Sequence, residues 1–273
     1  MALIAITPFV QAAPAGFDIT NPTLVSSFLS PQATQTIDGL NFKPDGTKMY
    51  IYDDGTRKIF QYTLTTPWEV NSVSAVYDSV FFLANVQAIL PTDICFKPDG
   101  TKLYIIGRLV PNAIFQYTLT TPWDVGTAVY DIVSFPIAPP SSFSRDLFFK
   151  PDGTLFYVVD NSLGKVLEFS LTTPWDMSTA SDANKFLNTA PQSANIQSAK
   201  FNLDGTKIFV THRTGLTFQY SMTTPYDVST AIYDSIFFDS SATAGSQLIQ
   251  LQFNSDGTNM YLSAGRVVFQ YSL

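Results

Sequence analysis

The sequence predicts an all-β ring of five four-stranded blades, and three observations predict it. Asp-Gly recurs at Asp45-Gly46, Asp99-Gly100, Asp152-Gly153, Asp204-Gly205 and Asp256-Gly257, at spacings of 54, 53, 52 and 52 residues. A second element follows each copy: IFQYTL, IFQYTL, VLEFSL, TFQYSM and VFQYSL. Charged residues make up only 14% of the chain, against about 25% in an average soluble protein, while 23 Phe and 13 Tyr favour strands. A repeat of this length, rich in short apolar strands, is the signature of a β-propeller.

Each repeat divides into four strands. The first ends near Phe42, Phe96, Phe149, Phe201 or Phe253 and runs into the turn. In three copies the turn reads Pro-Asp-Gly-Thr, where Pro presets one dihedral and Gly supplies the positive φ of a tight hairpin. The second strand (KMYIY, KLYII and their counterparts) leads to the third, the FQYTL element. Four third strands are followed by Thr-Thr-Pro and an aromatic: Trp68, Trp123, Trp175 and Tyr226. One aromatic at a fixed place in each blade is expected to bury surface between blades. The fourth strand reads AVYDSVFF, AVYDIVSF and AIYDSIFF, whereas blade three departs to ASDANKFLN, which predicts the weakest outer strand of the ring.

The fifth repeat stops at Leu273, after its third strand. The missing piece lies at the other end, where Phe17-Asp18-Ile19 matches Trp-Asp-Val and PTLVSSFL (residues 22–29) has the pattern of a fourth strand. The N-terminal strand is therefore expected to complete the last blade and close the ring. An open solenoid of the same repeats would leave that strand unused. The expected organisation is an N-terminal arm, residues 1–16, and a single propeller domain, residues 17–273. The arm, MALIAITPFVQAAPAG, lacks the positive start of a secretion signal and reads as an anchor.

Bulk properties exclude several functions. The net charge is −7 with no run of Lys and Arg, so nucleic acid is not an expected ligand. The single cysteine, Cys95, rules out an internal disulfide and reads as a buried apolar residue. No stretch of 18 apolar residues occurs, so no membrane span is expected. No cofactor or metal motif occurs, and none is expected.

With FKPDGTKMY, FQYTLTTPWDV and AVYDS laid out, the chain resembles propeller proteins built on repeats of this form, found among bacteriophage structural proteins and bacterial secreted or surface proteins. The resemblance covers residues 17–273. It implies a virion or cell-surface binding role, with assembly proteins as partners through residues 1–16 and a host-surface glycan as a further ligand. It names no ligand, because propellers host unrelated activities.

Propeller geometry sorts the loops. The repeated turns, Pro-Asp-Gly-Thr and Thr-Thr-Pro-Trp, fall on one face, here called the bottom. The divergent loops fall on the other, the top, and loops on a rigid frame commonly carry function. These loops nominate Asp53, Asp54, Arg108, Asp160, His212 and Arg213 as ligand-binding residues. Counting back three from each first-strand Phe gives Gly39, Asp93, Asp146, Ser198 and Gln250, which places Asp93 and Asp146 toward the channel on neighbouring blades. A glycoside hydrolase or lactonase would need such carboxylates at the channel mouth. The expected role here is polar lining instead. His212 has no designated catalytic partner, and Gly-x-Ser-x-Gly is absent. The sequence reading is a non-enzymatic virion structural or binding protein, a phage decoration, fibre or tail-associated module. A carbohydrate-binding adhesin or lectin-like propeller, secreted or on the cell surface, is the alternative, and a glycoside hydrolase or lactonase is the third reading.

Overall fold

A computed structural model describes residues 16–108, 112–137, 143–245 and 247–273. Blade one comprises β2 (Ile37–Phe42), β3 (Lys48–Asp53), β4 (Lys58–Leu64) and β5 (Ala75–Leu83). Blade two comprises β6 (Leu90–Phe96), β7 (Lys102–Arg108), β8 (Ala113–Leu119) and β9 (Ala128–Pro136). Blade three comprises β10 (Ser144–Phe149), β11 (Leu155–Asp160), β12 (Lys165–Leu171) and β13 (Ala180–Asn188). Blade four comprises β14 (Ile196–Phe201), β15 (Lys207–His212), β16 (Leu216–Met222) and β17 (Ala231–Asp239). Blade five comprises β18 (Leu248–Phe253), β19 (Asn259–Ala264), β20 (Val267–Ser272) and, from the other end of the chain, β1 (Thr23–Leu29). All pairings within blades are antiparallel, and the five innermost strands adjoin one another in a circle that β18 closes against β2. The chain is a five-bladed β-propeller.

The closure is the one the sequence predicts. Phe28 pairs with Val268 and Thr23 with Ser272. Ser30 N–H then bonds Arg266 O at 3.0 Å, as Ala84 N–H bonds Arg57 O in blade one. Phe17 takes the place of the Thr-Thr-Pro aromatic, with φ 65° against 66° at Trp68 and Trp123. Asp18 accepts the N–H of Thr20 at 2.9 Å, as Asp124 accepts that of Gly126. Gly16 and Phe17 meet the Asp256-Gly257 turn, so the chain enters the ring at its bottom face. Residues 1–15 of the expected arm lie outside the described residues.

The Asp-Gly turn does more than reverse the chain. The aromatic ring lies flat against each turn glycine, so that a β-carbon on Gly100 would sit 2.3 Å from Trp123 and one on Gly153 2.2 Å from Trp175. The aromatic N–H returns a bond to the same glycine carbonyl, at 3.1 Å for Trp123 on Gly100. The preceding blade then grips the aromatic: Tyr50 Oη donates to Trp123 O at 2.6 Å, Tyr104 to Trp175 O at 2.6 Å and Tyr261 to Trp68 O at 2.7 Å. Blade four has Phe209 in that place, and it stacks on Phe17 with centroids 6.2 Å apart. The aromatics thus bury surface between blades, and the hydrophobic clusters likewise draw on two adjacent blades each.

Burial explains the low charge content. Inner strands such as β3 and β7 are covered on both faces, whereas outer strands such as β5 and β17 alternate covered and exposed residues. The departure in blade three does not shorten its outer strand, which spans the same nine residues as β9. Its ion pair is inverted. In blade one Lys48 and Gln61 both donate to Asp78, at 2.8 Å each. In blade three Leu155 replaces that lysine, Glu168 replaces the glutamine, and Lys185 on β13 supplies the positive charge 3.8 Å from Glu168.

The clasp predicts unequal penalties at two glycines of positive φ. Gly100→Ala must displace the Trp123 ring, while Gly265 has nothing within 4 Å of a β-carbon. Urea unfolding is expected to show a loss of about 2–4 kcal/mol for Gly100→Ala against about 1 for Gly265→Ala. Equal losses would remove the clasp from the account.

Candidate functional site

The channel wall is built from a repeated irregularity. Each innermost strand shifts register near its top, at Gly39, Asp93, Asp146, Ser198 and Leu251. Backbone N–H groups next to the shifts turn to the neighbouring blade, where side chains receive them. Asp93 Oδ2 accepts Leu147 N–H at 3.0 Å, Asp146 Oδ2 accepts Ala199 N–H at 2.7 Å and Ser198 Oγ accepts Leu251 N–H at 3.2 Å. Gln250 closes the circle by donating to Asp38 O at 2.6 Å.

Asp93 and Asp146 are therefore wholly buried blade couplers, not residues of an open channel mouth. Lys200 lies 2.7 Å from both oxygens of Asp146, and Ser198 Oγ donates to it at 2.6 Å. Burial pushes both carboxyls up. At Asp146 the Lys200 charge and the hydrogen bonds outweigh burial and hold the group below the usual carboxylate range. Asp93 gains no such cation, and burial together with the Asp146 charge raises it strongly. Its Oδ1 has no hydrogen-bond partner among the described residues and faces Gly39, where a β-carbon would lie 3.3 Å away. Both carboxyls are sealed from solvent, so neither borders the open space that a substrate flanked by glycosidase carboxylates would occupy.

Two other nominated carboxylates are also internal. Asp53 is buried and accepts the N–H groups of Gln35 at 3.0 Å and Thr56 at 2.8 Å. Burial opposes its ionisation, but those N–H donors outweigh it and lower its pKa. Asp160 is buried and accepts Ser162 Oγ at 2.6 Å and Leu163 N–H at 2.8 Å. Asp160 shapes its own loop by capturing successive donors, whereas Asp53 ties its loop at Thr56 to the segment before β2 at Gln35. His212 is half-buried, with Nδ1 2.6 Å from Thr214 Oγ1, and burial lowers its pKa.

The other three nominated residues, Asp54, Arg108 and Arg213, converge on a pocket of about 230 Å³ at the top end of the channel. Every blade contributes: Asp38 and Asp54 from the first, Arg108, Arg145 and Arg213 from the next three, and Gln247 from the fifth. The sequence register set Asp38 aside in favour of Gly39 and gave no signal for Arg145, because both lie on innermost strands one position off that register. Arg145 is only 8% exposed, and its Nε has no hydrogen-bond partner among the described residues. Arg145 and Arg108 both lie against the Phe143 ring, at 4.8 and 4.7 Å. Burial, then the Arg108 charge, lowers Arg145 to about 10. Burial, then the Asp54 charge, raises Asp38 to about 7 in spite of the arginines. Asp54 is engaged by Arg57. The opposite mouth is aromatic, lined by Phe42, Trp68, Phe149, Phe201, Tyr226 and Phe253.

Among the described residues no group of three or more His, Cys, Asp or Glu could hold a metal ion, and no helix is long and apolar enough to cross a membrane. No protein-family model and no curated protein sequence matches the chain. Many solved structures are similar to it in fold, and two of them serve as examples. A functionally unknown protein from Desulfotomaculum acetoxidans matches with 13% identity and a TM-score of 0.52 over 85% of this chain. A candidate 6-phosphogluconolactonase from Bacteroides uniformis matches with 12% identity and a TM-score of 0.52 over 82%. The matches span 63% and 62% of those longer proteins. At such identities the likeness is one of fold alone, that of a β-propeller.

Two measurements probe these carboxyls. Lys200→Met strands a buried carboxylate and is expected to cost about 3–5 kcal/mol, most of it recovered when Asp146→Asn is added. An additive double variant would contradict the pairing. Asp38 keeps its proton to about pH 7 when folded but only to about 3.8 when unfolded, so its contribution to stability declines as pH rises through that window. Asp38→Asn is expected to be near neutral at pH 4 and to stabilise at pH 8 by up to about 4 kcal/mol. A difference independent of pH would show that Asp38 ionises freely.

Proposed function

We propose that this protein is a non-catalytic binding module of a virion or cell surface, seated through its bottom face and arm and displaying its top face outward. One observation carries the reading: the channel carboxyls are consumed in holding the blades together, while the open top mouth gathers polar side chains from all five blades. The two faces differ as a seat and a display surface should. The bottom has repeated turns and an aromatic mouth, and Gly16 and Leu273 both lie at its turns. The top has loops that differ in every blade. The resemblance of the repeats to those of phage structural and bacterial surface propellers supports the same setting. A carbohydrate-binding adhesin is the second reading, and the polar lining of the top mouth favours it.

Deleting residues 1–15 is expected to leave thermal unfolding unchanged and to abolish incorporation into the assembly. In parallel, purified wild type is expected to turn over no member of a panel of glycosides and lactones. Turnover that Asp93→Asn or Asp146→Asn abolishes, in a variant still folded, would replace the reading with that of a hydrolase.

A further inference from the structure

We propose that the top mouth binds a monosaccharide unit carrying an oxyanion, a carboxylate or a phosphate, with Arg108, Arg145 and Arg213 as its anion receptor. The proposal rests on the reading of the top face as a binding surface and names the ligand class it takes.

The chain has only five arginines, and all lie toward this end: Arg57, Arg108, Arg213 and Arg266 at the loops between second and third strands, and Arg145 near the start of β10. This is a concentrated positive feature in a chain of net charge −7. Guanidinium is the side chain suited to planar, bidentate capture of carboxylate and phosphate. Three of these groups border one pocket. Of the two carboxyls that border the pocket, Asp54 is paired with Arg57, so the three guanidinium groups share only the single carboxyl of Asp38. Arg145 is nine-tenths buried with Nε unpartnered among the described residues, a desolvated donor that an incoming anion would satisfy. Arg213 is already oriented, its Nε bonding Gln247 Oε1 at 3.0 Å.

The rest of the lining suits hydroxyl groups. Thr36, Asp38 and Gln247 bring a hydroxyl, a carboxyl and an amide to the same space. The volume of about 230 Å³ falls below the ~300–1,000 Å³ of sites for larger ligands, and matches a single sugar ring.

The test is calorimetric titration of the full chain with glucuronate, glucose 6-phosphate, glucose and inorganic phosphate, at low and high salt. One of the charged sugars is expected to bind with a Kd of about 1 mM or tighter, weakened by salt, with glucose at least about tenfold poorer. Which one binds separates a carboxylate source from a phosphate source. Arg108→Gln at the end of β7 and Arg213→Gln in the turn after β15, both half-buried, are each expected to weaken binding about tenfold with unchanged melting temperature. The proposal is overturned if neither charged sugar binds, if inorganic phosphate binds as tightly as the charged sugars, or if the two arginine variants bind like wild type. A glycan array retaining only neutral sugars would overturn it while sparing the display reading. Conversion of a bound probe to product would overturn the non-catalytic reading while sparing the ligand class.

Discussion

Everything at the channel depends on β1 lying against β20. Without that pairing blade five has three strands, and no covalent link joins the first and last blades. The top pocket takes side chains from all five blades, so its shape exists only while the circle is shut. The closure is reinforced at both ends of the borrowed strand. Phe17 is stacked among Phe209 and Phe253 below, and Ser30 is bonded to Arg266 above. The borrowed strand also covers the edge of β20, which would otherwise offer unpaired backbone groups to other chains.

Between blades the ring is held by a small set of polar contacts repeated around the axis. Third-strand Gln or Glu side chains reach the next blade: Gln61 accepts Val125 N–H at 3.1 Å, Gln116 accepts Met177 N–H at 2.9 Å and Glu168 accepts Val228 N–H at 3.2 Å. The exchange of Gln for Glu in blade three keeps the acceptor and moves the compensating charge onto Lys185, which also reaches Asp227 at 2.7 Å in blade four. The same economy operates at the channel wall, where Asp, Ser or Gln fills one role according to the blade. A polar residue at a repeated position is thus first a component of the ring.

That rule separates what the sequence disclosed from what it concealed. Turns, strand order and closure were legible because each is local: Asp-Gly fixes a hairpin, and Phe17-Asp18-Ile19 reproduces the chemistry of Trp-Asp-Val within three residues. The channel carboxylates were found by register but their partners were not, because Lys200 and Ala199 are some fifty residues from Asp146 and meet it only across a blade seam. Asp53 and Asp160 look like free loop acids until their loops are seen folded over them. The arginine mouth was half legible. Arg108 and Arg213 lie at their loops, but Arg145 sits within an inner strand, where an apolar neighbour is the default. The one sequence signal was that all five arginines fall toward the same end of their blades.

Native-state hydrogen exchange tests the closure most directly. The bonded amides of Thr23–Leu29 and Val267–Ser272 should be as protected as those pairing β4 with β5, exchanging only when the whole ring opens. Exchange of residues 23–29 at the rate of an unfolded chain, with the other four blades protected, would contradict a ring closed by its own N-terminal strand.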